Sequence, residues 1–96
     1  MKNPNSQPIL ALRPEIQLAI RLASKLFELR GLDFVVTWTT GGTHMKGSLH
    51  PKRRAVDSLL PTKEEQEIVD ELSEILGPDY DVVNESDHLH MEWDPK

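Results

Sequence analysis

Two segments with a helical apolar period, set around a β-rich middle, constrain this chain more than any other feature. From Pro14 to Arg30, the residues Ile16, Ala19, Ile20, Ala23, Leu26, Phe27 and Arg30 recur at i, i+3, i+4, i+7 and fall on or near one helix face. Pro14 suits the first helical turn, where its missing N–H loses no hydrogen bond. Gly31 suits the left-handed residue that closes a helix. A second helix is predicted from Thr62, because Thr62 and Glu65 have the spacing of a capping box. Its buried stripe is Ile68, Val69, Leu72, Ile75 and Leu76, and Glu64, Glu67, Asp70, Glu71 and Glu74 mostly face water. Gly77 and Pro78 stop it.

The segment Asp33–Thr40 (DFVVTWTT) is rich in β-branched and aromatic residues and reads as a strand. Gly41, Gly42, Gly47 and Pro51 mark a long connection, after which Ala55–Leu60 forms a second short strand. Tyr80–Val83 and Leu89–Trp93 read as two strands joined by the polar hairpin connection Asn84–Asp87. The order is helix, strand, loop, strand, helix, hairpin. It implies an α+β domain with a small, mainly antiparallel sheet and its two main helices on one side. Residues 1–9 read as a loose N-terminal arm and 10–96 as a single domain.

A chain of 96 residues hides only about 60–65% of its unfolded surface, so any extra staple matters. With no cysteine, that staple is neither a disulfide nor a thiolate metal site, and a cysteine nucleophile is excluded. Any metal must be held by His, Asp or Glu. Sixteen acidic residues against eleven basic ones give a formal charge of −5, which argues against a general nucleic-acid binder. No apolar run approaches the roughly 20 residues that span a bilayer, so no membrane insertion is expected. The first residues, MKNPNSQPILALRPE, carry neither a long apolar stretch nor a small-residue cleavage site. Cytoplasmic synthesis without a secretory signal and a monomeric state are the expectations.

The four histidines lie in two clusters, His44 with His50 in the Gly-rich connection and His88 with His90 in Asp87-His88-Leu89-His90. Residues two apart on a strand point to the same face, so His88 and His90 are presented together. Asp57 lies seven residues after His50. His50, Asp57 and His90 therefore offer two imidazoles and one carboxylate, a donor set that suits catalytic zinc, which uses three protein ligands and one water. Zinc lowers the pKa of bound water to about 7, and a neighbouring carboxylate can take that proton and hand it to a leaving amine. Asp87 and Glu85 are the candidates. Glu92 is read as alternating away from the His88/His90 face. Spacing alone leaves two readings open, a metal centre or ordinary surface polar residues, because ligands must converge in space.

The run Ser48-Leu49-His50-Pro51-Lys52-Arg53-Arg54-Ala55-Val56-Asp57 resembles the SxHxxGxAxD motif of zinc D-Ala-D-Ala carboxypeptidase-like peptidases. That group shares its fold with VanX-type dipeptidases and the Hedgehog signalling domain. Asp87-His88-Leu89-His90 resembles its closing motif. Thr40-Gly41-Gly42-Thr43-His44 and Leu76-Gly77-Pro78-Asp79-Tyr80-Asp81-Val82-Val83 look much like small phage and prophage members. The resemblance runs from about Leu10 to Pro95. It implies that His50, Asp57 and His90 bind zinc and that Asp87, three residues before the last ligand, is the general base. It further implies that His88 lies in the site without being the usual ligand and that Ser48 helps to hold the loop. The activity it implies is hydrolysis of peptidoglycan stem peptides, at D-Ala-D-Ala ends or at a crosslink, by a phage endolysin-like enzyme acting on the cell wall after release.

Arg53 stands where the motif has glycine, and a left-handed backbone there would strain arginine. Ser58-Leu59 follows Asp57 where relatives often have an apolar residue and then arginine. Asp87 could instead hold backbone N–H groups in the hairpin turn, and His88 could orient a ligand or stabilise an oxyanion. Lys52-Arg53-Arg54 reads as a solvated basic run, with capture of a substrate carboxylate as the functional alternative. Trp38 and Trp93 read as core or sheet-face residues. His44 reads as a loop residue. The rivals to a peptidase are a non-catalytic zinc-binding module and a phage accessory protein with the same fold.

Overall fold

Helix α1 (Pro14–Leu29) forms where the apolar period begins and ends. Pro14 occupies its first turn, and the backbone N–H of Arg13 donates to Arg53 O at 3.0 Å. Ile16, Ala19, Ile20, Ala23, Leu26 and Phe27 are all buried, as the spacing predicts. At the far end Gly31 takes φ +71°. The Gly31 N–H then donates to Glu28 O (3.0 Å) and the Leu32 N–H to Phe27 O (2.8 Å), the paired bonds of a Schellman stop. The computed structural model describes residues 1–39 and 53–95.

The remaining elements follow in the expected order: β1 (Val36–Trp38), β2 (Ala55–Ser58), α2 (Glu65–Leu76), β3 (Tyr80–Asn84) and β4 (Leu89–Trp93). The strands form one antiparallel sheet in the order β1-β2-β4-β3. The fold is α+β. Pairing of Val56 with Met91 and of Ser58 with Leu89 fixes the register of β2 on β4. Val36, Val56, Leu89 and Met91 face the helices and join Ile68, Val69 and Leu72 of α2 in one core. Phe27 and Phe34 meet edge to face within it, ring centroids 5.2 Å apart. Because side chains alternate along a strand, Asp57 and His90 fall on the opposite face of the sheet.

Several boundaries differ from those read in the sequence. Strand β1 spans three residues rather than Asp33–Thr40, and its pairing with β2 is interrupted by an irregularity between Val36 and Trp38. The capping box does not form: α2 starts at Glu65, and Glu64 before it is left-handed (φ 52°) with no side-chain cap. The acidic partners are engaged elsewhere. Glu65 accepts from Asn84 Nδ2 at 2.6 Å, while Arg30 binds Glu64 at 2.7 Å and Glu71 at 2.5 Å, with Glu67 at 4.0 Å. Three of the carboxylates expected to face water thus converge on one guanidinium and tie the end of α1 to α2. Ile75, placed in the apolar stripe, is exposed.

The N-terminal residues lie along β1. Lys2 bridges Val35 in parallel, its N–H donating to Phe34 O (2.8 Å) and its carbonyl accepting from Val36 N–H (2.9 Å). Thr39 N–H and Oγ1 both donate to Gln7 Oε1. The unpaired side of an edge strand is thereby partly occupied by the chain's own backbone.

Arg53 adopts φ +62°, the left-handed backbone that glycine tolerates and other residues adopt at a penalty of about 1–2 kcal/mol. Two substitutions should move stability in opposite directions. Arg53→Gly is expected to stabilise by up to about 1 kcal/mol, the relief being partly offset by glycine's freedom in the unfolded chain. Gly31→Ala is expected to destabilise by about 1 kcal/mol, because a Cβ at Gly31 meets nothing within 4 Å and only the backbone objects. Urea midpoints of the two variants against the parent check both signs.

Candidate metal centre

The sheet register brings the chemistry together. Asp57 on β2 and His90 on β4 are direct cross-strand partners. His90 Nδ1 lies 2.7 Å from Asp57 Oδ1, although the two residues are 33 apart in the chain. His88, two residues before His90, shares that face, and its Nε2 lies 3.7 Å from Asp57 Oδ2. One donor atom from each of Asp57, His88 and His90 falls within 4.8 Å of the others. Two imidazole nitrogens and a carboxylate oxygen at this spacing form a group that could hold a metal ion.

The three donors differ in their exposure. The side chains of Asp57 and His90 are 14% and 13% exposed and that of His88 is 34% exposed. Each imidazole has one nitrogen turned to Asp57 and the other against a second carboxylate. For His88 that partner is Asp87, with Nδ1 to Oδ1 at 2.6 Å. For His90 it is Glu92, with Nε2 to Oε1 at 2.7 Å. Burial alone would draw the His90 imidazolium down, but hydrogen bonds to Asp57 and Glu92, and then their charges, outweigh it and hold the group above its ordinary 6.5.

Asp57 and His90 are thus brought together as read from the sequence, and His88 joins them as a third nearby donor. The proposed base, Asp87, sits in the hairpin with its side chain 85% exposed and its carboxylate on His88. Glu85, its rival, donates its backbone N–H to His88 O at 3.0 Å across the same turn. His50, Ser48 and His44 lie outside the described residues. Glu92 does not alternate away from the His88/His90 face as expected. Positions 88, 90 and 92 share one face of a strand, so Glu92 points with the histidines and not away from them, and that count alone would have found it. Asp81, opposite Glu92 in register, and Asp94 form a further acidic group with it.

The basic run resolves into separate roles. Arg53 holds the left-handed turn. Arg54 stacks on Trp93 at 5.1 Å, and Arg13, just before α1, stacks on the same ring at 5.3 Å. Trp93 packs against the core, and Trp38 stands across from Asp57 on β1. Lys52 lies outside the described residues.

Comparison with protein families, curated proteins and solved structures finds no match to this chain.

In the metal-free protein, the His90 imidazole should titrate above 6.5 by NMR, and Asp57→Asn should lower it by removing the carboxylate that faces Nδ1. A raised folded value means that the native state keeps a proton the unfolded chain has released. This contribution to stability is therefore full below about pH 6.5 and is lost as pH rises through the folded value. A wild-type value at or below 6.5 would contradict the geometry.

Proposed function

We propose that the chain is a small zinc-dependent peptide hydrolase acting on peptidoglycan stem peptides, with the fold of the D-Ala-D-Ala carboxypeptidase and Hedgehog group. The observation that carries this reading is the meeting of Asp57 and His90, one from each of two separate motifs, as cross-strand partners with His88 beside them. The donor chemistry fits zinc, which takes imidazole nitrogen and carboxylate oxygen. The motif resemblance supplies the reaction class and the substrate.

Asp57 and His90 would hold the ion, with His88 close enough to be the third ligand and His50 named for that position by the resemblance. When bound, zinc polarises a carbonyl and lowers the pKa of a coordinated water to about 7. Asp87 is exposed to solvent beside the donor cluster, so its Oδ atoms can hold a proton and return it to a leaving amine. His88 bridges Asp87 and Asp57 and can orient the base as well as donate to it.

The number of ligands separates this reading from a non-catalytic zinc module. Three protein ligands keep a position open for water, whereas four close the site and make it structural. His88 and His50 together would close it. Bound zinc and release of D-alanine or wall fragments should be measured for wild type, Asp87→Ala, His88→Ala and His50→Ala. The expected outcome is zinc in the wild type with cleavage, zinc retained in Asp87→Ala with the rate reduced about 10²–10⁴-fold, and zinc lost from only one of the two histidine variants. Wild type that retains zinc yet cleaves no wall substrate supports the module. A folded protein that ignores added zinc removes both readings.

A further inference from the structure

We propose that Glu92 is a positioning residue of the metal centre: by holding the proton of His90 Nε2, it makes Nδ1 the nitrogen that ligates. This rests on the reading of Asp57, His88 and His90 as a metal site. A neutral imidazole has one N–H and one free lone pair, and a ligating nitrogen must be free of its proton. Which nitrogen is free is set by the hydrogen bond the other one makes.

In this protein both His90 nitrogens face carboxylates at 2.7 Å, Nδ1 toward Asp57 and Nε2 toward Glu92. Among the described residues the second imidazole, that of His88, lies on the Asp57 side, so an ion shared by the three donors would meet His90 through Nδ1. An ionised carboxylate accepts hydrogen bonds and donates none. Glu92 therefore favours the state in which Nε2 keeps its proton and Nδ1 presents its lone pair.

The arrangement is built into the sheet. Strand β4 lies between β2 and β3, and Glu92 is paired with Ala55 on one side and Asp81 on the other. Its side chain is 22% exposed, against 85% for Asp87, the carboxylate that holds the second nitrogen of His88. Of the two carboxylates behind the histidines, Glu92 is the one fixed by the strand ladder.

The test uses the full chain with zinc alone as the probe. Affinity is measured by competition with a chromophoric chelator, and the His90 tautomer by imidazole ¹⁵N shifts of the zinc-loaded protein. Wild type is expected to ligate through Nδ1 with Nε2 protonated. Glu92→Ala is expected to bind zinc about 10–100-fold more weakly. Glu92→Gln, whose amide oxygen still accepts from Nε2, is expected to stay within a few-fold of wild type and keep the tautomer. Equal affinity in Glu92→Ala, or ligation of wild type through Nε2, overturns the role of Glu92 and leaves the metal site standing. Wild type that binds no zinc overturns the metal site and this inference with it. Should Glu92→Ala fail to fold, the wild-type tautomer still decides.

Discussion

The pairing of β2 with β4 is the constraint on which the rest of this molecule depends. Its register sets Val56 against Met91 in the core and Asp57 against His90 on the other face. A slip of one residue would reverse both at once, turning the apolar side chains outward and the ionisable ones into the core. The hydrophobic pattern that stabilises the sheet is therefore also what aligns the candidate ligands. No separate device is needed to bring a residue from the first motif to one from the second.

Much of this was legible because it depends on period. The buried face of α1 and the bounds of β4 follow from apolar spacing, and Gly31 from the backbone conformation that a helix stop demands. What escaped was decided by competition between polar groups distant in sequence. Thr62 and Glu65 had the right spacing for a cap, yet Glu65 meets Asn84 of the hairpin and Glu64 meets Arg30. Nothing local signals such partners. Arg30 was placed on the apolar face by its spacing, and the structure uses that position to reach across to α2.

The site was partly legible in the same way. Pairing Asp57 with His90 was a statement about which residues converge, and the cross-strand register brings them together. The roles proposed for Asp87 and His88 are finer, since they depend on which nitrogen faces which oxygen. Glu92 is signalled by the same alternation, since positions 88, 90 and 92 share one strand face. Arg53 stands where the motif it resembles has glycine, and the chain takes a left-handed backbone there with arginine in place.

Strand β4 has one further consequence. Leu89 and Met91 are fully buried, while His90 and Glu92 between and beyond them carry the polar network. Packing and chemistry are thus interleaved residue by residue along a single short segment. A bulkier side chain at Leu89 or Met91 would therefore strain the same backbone that aims the His90 ring and the Glu92 carboxylate.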